Sequence, residues 1–455
     1  MKGRELSESP THLKAMARFR IALINMPPAK LLLFGYVSYM LIGWVLLSLP
    51  FAQEQAVAAI DTLFIATSAV STTGLVSVDP GTSFTLFGEI VILLLIQAGG
   101  LGYMTIGSFA TLAIMGKLPG MRARAAKHAF NLPSNVKPKQ FVVSVVIFTL
   151  TVEVIGALVL WWMFASAGEQ NPLWLGIFHS VSAFCTAGFS LFANSFEGYT
   201  GHVGINLTIA LLSILGAMGF LIVVDGWRTL TGQARWLGFS SKIIVRMTGL
   251  FLALGTLALF IAEPSIRLLP PTERLLAAFF QTMTATTTVG FNTMPIGPLG
   301  LATLMVLFFL MIIGASPAGT GGGLKTTSFA ALVGLVRSTL KGRDRVRYLK
   351  RVVPQDRLQL ATASLAFYFT LAGIAMFGLF LTETGAAFEL VMFEVISAMG
   401  TVGLSMGLTG ELTELGKLIV ILLMTAGRVG ILTFGIAIAS HDESREEEAD
   451  NDLVL

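Results

Sequence analysis

The apolar residues of this chain come in long unbroken runs, at about 29–49, 87–115, 141–165, 205–224, 243–262, 301–336, 358–381 and 415–439. A helix needs about 20 apolar residues to cross a bilayer, so each run is long enough to span. Between the members of each successive pair stands a shorter segment, and these segments share one phrase. Phe64, Phe178, Phe280 and Phe393 each stand ten residues before a glycine: Gly74, Gly188, Gly290 and Gly403. Ser68-Ala69, Ser182-Ala183, Thr284-Ala285 and Ser397-Ala398 lie six and five residues before those glycines. Thr72, Thr186, Thr288 and Thr401 lie two before, and Leu or Phe follows each. Matched positions in four registers make an internal repeat. Each phrase predicts a helix of only about ten residues that ends at its glycine. Such a helix cannot span, and bare backbone at membrane depth is tolerated only when buried in protein or lining water.

The predicted fold is therefore an all-α integral membrane protein of four tandem helix–pore-helix–helix repeats, eight spans in all, around one central pore. Residues 1–28 form a cytoplasmic tail. The repeats cover 29–115, 141–224, 243–336 and 358–439, the third with an interrupted second helix, and 440–455 are an acidic cytoplasmic tail.

Composition agrees. Of 455 residues 54% are hydrophobic and 12% charged, against about one quarter charged in soluble domains, and the mean hydropathy is +0.79. The net charge of +4 reads as topology rather than as a nucleic-acid footprint. Basic residues follow the second run of each repeat: Lys117, Arg122, Arg124 and Lys127; Arg228, Arg235 and Lys242; Arg337, Lys341, Arg343, Arg345, Arg347, Lys350 and Arg351. Acidic residues such as Glu54, Asp79, Glu197 and Glu273 flank the glycine phrases. By the positive-inside rule the phrases lie at the outer face and both termini inside. The basic N-terminal stretch lacks the apolar core of a cleavable signal. A single cysteine, Cys185, excludes internal disulfides and cysteine-built metal sites.

Four glycine-ended loops suit a desolvated cation. A ring of backbone carbonyls replaces the ion's water without a fixed charge that would trap it. Glycine reaches the backbone angles that aim successive carbonyls at an axis, and helix C-termini favour cations. The candidate filter is Thr72, Thr73 and Gly74; Thr186, Ala187 and Gly188; Thr288, Val289 and Gly290; Thr401, Val402 and Gly403, with the ion held by their backbone carbonyls. One glycine per loop, rather than two, suggests few well-defined ion positions.

Thr288-Val289-Gly290-Phe291 comes close to the Thr-Val-Gly-Tyr-Gly of potassium-channel filters. With the four phrases, Gly99-Gly100-Leu101-Gly102, Thr320-Gly321-Gly322-Gly323-Leu324-Lys325 and Gly427-Arg428-Val429-Gly430, nearly the whole chain resembles the Trk/Ktr/HKT superfamily of potassium transporters. In length it is most similar to the Ktr membrane subunit. The resemblance implies potassium uptake through a channel-like pore in the bacterial plasma (inner) membrane, a homodimer with one pore per subunit, and a cytosolic nucleotide-binding regulatory ring (KtrA-like). That ring would be a separate polypeptide, since no nucleotide-binding domain is visible here. No cofactor is implied in this chain beyond the transported potassium. Sodium as a second or activating ion stays open, as does the identity of the nucleotide.

Within the sixth run, Gly314, Ser316, Pro317, Gly319, Thr320, Gly321, Gly322 and Gly323 precede Lys325. So many helix breakers predict an irregular loop crossing the pore, where the family resemblance places a gating loop. It is not a phosphate-binding P-loop, because Leu324 separates Gly323 from Lys325 and no strand precedes it. Arg428 lies near the middle of the last run, where facing lipid is expensive. It is expected to face the pore or the loop, and the resemblance puts an arginine beneath the filter. Glu153 is similarly deep and reads as a structural, hydrogen-bonded acid; Glu394 as a cap or cation attractor; His179 and Cys185 as packing residues. The rival reading is a secondary carrier with alternating access. All four repeats run in one orientation, which favours a single pore, and no cluster of His, Asp or Glu at membrane depth suggests an enzyme.

Overall fold

The computed structural model describes residues 28–102, 138–232, 236–317 and 319–438. Both tails, Lys117, Arg122, Arg124, Lys127 and Arg235 lie outside the described residues. The described chain is mostly helical. Its elements are α1 (Pro28–Leu47), α2 (Ala59–Ser71), α3 (Leu86–Leu101), α4 (Pro138–Ala167), α5 (Pro172–Phe184), α6 (Val203–Met218), α7 (Phe220–Leu230), α8 (Phe239–Ala262), α9 (Pro271–Thr287), α10 (Leu301–Ile312), α11 (Thr326–Thr339), α12 (Gln355–Thr382), α13 (Phe388–Gly400), α14 (Glu414–Val429) and α15 (Ile431–Ile438). A two-residue antiparallel hairpin, β1 (Arg347–Tyr348) and β2 (Arg351–Val352), stands between α11 and α12.

Each long helix packs on the short one that follows: α1 on α2, α4 on α5, α8 on α9, α12 on α13. The short helices carry the four phrases and are buried along most of their length. Proline sits at the start of α5 and α9, where its missing N–H loses no helical bond. The long helices keep one face outside. On α4, Ile147, Leu150, Val154, Ile155, Leu158, Trp161 and Trp162 are all exposed, and their helical spacing makes one apolar stripe. An apolar stripe of that length fits lipid.

Helices α1, α4, α8 and α12 are long and apolar enough to cross a membrane. The second helices are not simple rods. Helix α3 ends at Gly102 and α10 is only 12 residues long. The runs at 205–224 and 415–439, expected to be continuous, are broken: α6 and the helix after it bend by 94°, and α14 and α15 by 107°. Gly219 and Gly430 sit at the breaks with φ of 87° and 95°, backbone angles that favour glycine. Three residues earlier, Gly99, Gly216 and Gly427 lie so close to the carbonyl oxygens of Val70, Phe184 and Met399 that a Cβ would collide. The Gly-x-x-Gly spacing thus serves two purposes. Its first glycine seats the second helix on the end of the short helix, and its last turns the chain aside.

Candidate functional site

The four phrase ends share one backbone course. Thr72, Thr186, Thr288 and Thr401 are left-handed, with φ of 49°, 51°, 58° and 49°. Two residues on, Gly74, Gly188, Gly290 and Gly403 have φ of 92°, 68°, 88° and 89°. The Ser or Thr six residues before each glycine anchors this course. Its carbonyl accepts the N–H of the residue before the glycine: Thr73 to Ser68 at 2.9 Å, Ala187 to Ser182 at 2.8 Å, Val289 to Thr284 at 3.2 Å and Val402 to Ser397 at 2.8 Å. In the first and fourth copies the serine hydroxyl also accepts the glycine N–H, at 3.1 Å each.

The glycines meet one another in a closed order. A Cβ on Gly74 would strike the carbonyl oxygen of Ala187; on Gly188, that of Val289; on Gly290, that of Val402; and on Gly403, that of Thr73. Each glycine therefore presses on the backbone of the next copy, and the fourth returns to the first. No side chain fits between successive copies. An ion pair also joins the first copy to the last, since Lys417 on α14 meets Asp61 on α2 at 2.6 Å.

The loop after α10 lies against the threonines of this ring. Thr72 Oγ1 donates to the carbonyl of Thr320 at 3.3 Å, and Thr186 Oγ1 to the Thr320 hydroxyl at 3.0 Å. Gly322 N–H donates to Thr401 Oγ1 at 2.9 Å. Gly321 lies against Thr288 Oγ1 too closely to admit a Cβ. One short loop thus touches all four left-handed threonines. It is tied down on its other side: Ser316 and Thr320 donate backbone N–H bonds to Ala217 and Gly216 at 3.0 and 3.2 Å, where α6 ends and leaves carbonyls free. Lys325 Nζ donates to the carbonyls of Gly321 and Gly322 at 2.7 and 3.2 Å. Ser316 Oγ lies 3.1 Å from Thr326 Oγ1. Gly314 packs on Gly322 and Gly323, and Gly319 on Ala217.

Arg428 completes the layer. Its guanidinium donates to Thr72 Oγ1 at 2.8 Å and to the carbonyls of Thr320 and Gly99. The sequence-predicted filter and gate residues are thereby brought into one contiguous assembly. Glu153 lies to one side, buried, accepting from Gln97 Nε2 at 3.0 Å with Cys185 Sγ at 3.7 Å.

Two residues do more than the sequence suggested. The position after the phrase Phe is Ile65, His179, Gln281 or Glu394. Glu394 accepts from Ser405 Oγ at 2.9 Å and from Thr409. His179 Nε2 lies 3.0 Å from Ser190 Oγ. Ser190 and Ser405 each stand two residues past a ring glycine, so these bonds brace the short helix against the chain leaving the ring. The third copy lacks the brace: Gln281 has no hydrogen-bond partner among the described residues, and Asn292 is turned to Glu197. A second omission is the copy of Gly-x-x-Gly at Gly216-Ala217-Met218-Gly219, legible in its spacing and equal in role to the copies at Gly99 and Gly427.

Among the described residues no group of three or more His, Cys, Asp or Glu could hold a metal ion. The family model described as TrkH, cation transport protein, matches residues 37–448. The chain is 35% identical over 443 residues to Ktr system potassium uptake protein B of Bacillus subtilis, covering 95% of this chain and 98% of that one. It is 36% identical to the Vibrio alginolyticus protein of the same name, over 90% and 91% of the two chains. With the potassium/sodium uptake protein NtpJ of Enterococcus hirae it shares 33%, over 93% and 94%. The fold matches the crystal structure of the potassium transporter TrkH from Vibrio parahaemolyticus, with a TM-score of 0.70 at 19% identity, over 94% and 95% of the chains. The chain belongs to the TrkH family of cation transport proteins.

Proposed function

We propose that this chain is the membrane subunit of a potassium uptake system of the Ktr type. Four helix–pore-helix–helix repeats, eight spans in all, surround one pore. The carbonyls of Thr72 to Gly74, Thr186 to Gly188, Thr288 to Gly290 and Thr401 to Gly403 form its filter. The observation that carries this reading is the closed order of the ring glycines, each packed on the carbonyl of the next copy. A ring of that kind surrounds a small ion with oxygens and leaves no side chain to obstruct it. The four short helices direct their C-terminal ends to the same ring, which adds cation-favouring partial charge.

The loop from Gly314 to Gly323, with Lys325 and Arg428, is the gate. Potassium moves down its electrochemical gradient, driven by an inside-negative potential worth about 2.3 kcal/mol per charge per 100 mV. The subunit pairs as a homodimer in the bacterial plasma membrane with both termini in the cytosol. A soluble nucleotide-binding ring docks on the basic face at Arg343, Arg345 and Arg347. Relatives named as potassium and as potassium/sodium uptake proteins support potassium as cargo and make sodium a competitor to be measured.

Rubidium-86 uptake into proteoliposomes tests the reading. Uptake driven by an imposed potential, competed by potassium in preference to sodium or lithium, is the expected result. Uptake that requires a second ion's gradient would indicate a carrier instead.

A further inference from the structure

Helix α8 enters the apolar region beside the β1–β2 hairpin, and between them lies a cavity of about 320 Å³. Phe239, Lys242 and Arg246 line one side; Leu349, Lys350 and Arg351 line the other. The spacing of the first three, i, i+3 and i+7, puts them on one face of the first turns of α8.

The opposing side is built, not incidental. The pairing of Tyr348 with Arg351 leaves Leu349 and Lys350 as the two turn residues. Both are left-handed, with φ of 47° and 65°, the backbone of a tight hairpin turn. Tyr348 Oη donates to Met247 Sδ at 3.3 Å, and Arg347 N–H to the buried Ser338 Oγ at 3.1 Å. The guanidinium of Arg351 lies 5.3 Å from the centre of the Phe239 ring. These contacts hold Lys350 and Arg351 opposite Lys242 and Arg246.

Among the described residues, four cations thus face one cavity without a neutralising partner. The ion pairs among the described residues are Arg357–Asp356 and Lys417–Asp61, and neither involves the cavity. The carboxylate of Asp225, near the start of α8, is taken by Gly238 N–H at 3.2 Å and Ser241 Oγ at 2.6 Å. Uncompensated like charges around a concavity attract an anion. The surroundings indicate which kind. Trp236 is 72% exposed and Leu340 82% exposed, and Lys242 Nζ lies 5.9 Å from the Trp236 ring. Tryptophan favours the membrane–water boundary. At about 1.5 Å per residue, Arg246 lies about 10 Å along α8 from Phe239, so the basic face runs onto the first turns of a helix long and apolar enough to cross a membrane.

We propose that this pocket binds the phosphate of an anionic phospholipid, its acyl chains lying along α8. The proposal rests on the membrane placement given under Proposed function but not on potassium as cargo. It reaches the gate through one element. Helix α11 begins at Thr326, directly after the loop, and ends at Thr339, before the hairpin. A bound headgroup would clamp the hairpin to α8 and steady the helix that carries the loop's far end.

The test uses the full chain in detergent, followed by native mass spectrometry. Phosphatidylglycerol is titrated against phosphatidylcholine, with inorganic phosphate as a separate competitor. Variants are K242Q/R246Q and K350Q/R351Q, with R343Q/R345Q as a control of equal charge change outside the pocket. Two cations removed near a membrane surface should weaken phosphatidylglycerol retention about thirtyfold in either pocket variant and leave the control unchanged. K350R should bind like the parent, and unchanged gel-filtration profiles and melting temperatures certify folding. Equal loss in pocket and control variants overturns the proposal in favour of diffuse attraction. Equal retention of the two lipids overturns it outright. Displacement by millimolar phosphate as effectively as by lipid makes the site a free-anion site. Unchanged lipid retention with lost capture of a soluble partner assigns the surface to that partner. Rubidium flux is measured separately, so failure of the pore reading leaves the binding result intact.

Discussion

Arg428 donates from Nη1 to Thr72 Oγ1 at 2.8 Å, so the last long segment of the chain holds the first left-handed threonine of the ring. The same guanidinium reaches the carbonyl of Thr320 in the loop. One side chain therefore fastens ring and loop together and sets a positive charge beside Thr72 and Thr320. A positive charge beside a cation's path raises a barrier to it by Coulomb repulsion, more so in a low-dielectric surround. Replacing Arg428 with Ala, or deleting Thr320–Gly322, is expected to raise the maximal uptake rate several-fold with potassium preference kept. Initial rubidium uptake per folded protein checks this. If neither variant changes the maximal rate, the loop is a passive kink.

Gly290 has φ of 88°, and any Cβ there meets the carbonyl oxygen of Val402. A residue forced into such a conformation costs about 1–3 kcal/mol, and the ring relaxes by moving that carbonyl. Gly290→Ser should reduce the preference for potassium over sodium about tenfold or more. Competition of rubidium uptake by the two ions reads this directly; an unchanged ratio in a folded variant removes Gly290 from the filter.

Lys417 and Asp61 pair at 2.6 Å with side chains 12% and 13% exposed. Removing one partner of so enclosed a pair leaves a charge uncompensated, at a cost of about 3 kcal/mol. Lys417→Met is expected to lower the melting temperature in detergent by several degrees. Lys417→Met with Asp61→Leu should recover most of the loss, because both charges are then gone. A double variant no more stable than the single one would show that the pair does not couple the two ends of the chain.

Glu394 is fully buried and accepts from Ser405 and Thr409 just past Gly403. Glu394→Gln keeps an acceptor oxygen and should retain selectivity. Glu394→Ala removes the shared acceptor of Ser405 and Thr409, leaving their hydroxyls only the 3.0 Å bond between them and the Gly407 N–H, at a cost of about 1–3 kcal/mol, and should loosen the fourth quarter of the ring. The expected result is a fall of several-fold in potassium-over-sodium discrimination for Ala alone. Equal behaviour of both variants would reduce Glu394 to a packing role.

Much of the site was legible because its constraints are local. A threonine in the left-handed region, a glycine two residues on and a serine or threonine whose carbonyl anchors both leave a fixed spacing, as at Ser68, Thr72 and Gly74. The broken second helices were harder to see. Hydropathy stays high straight through Gly219 and Gly430, and an apolar run looks the same whether the chain continues or turns. What turns it is contact with another repeat, as where Gly216 lies on Phe184. The braces at His179 and Glu394 were missed for a related reason. Their partners, Ser190 and Ser405, lie across the loop, and a polar residue in an apolar helix does not announce what it reaches.

The ring has a genetic consequence. Where four identical subunits build a ring, one codon change alters every quarter together. Here each quarter has its own codon, and the space each glycine leaves empty is filled by the next quarter's backbone. Ala187 already stands where the other quarters carry Thr73, Val289 and Val402. If the ring is the proposed filter, variation adjusts ion preference in steps of one quarter, each felt chiefly by one neighbour, over a range of intermediate settings that a symmetric assembly cannot occupy.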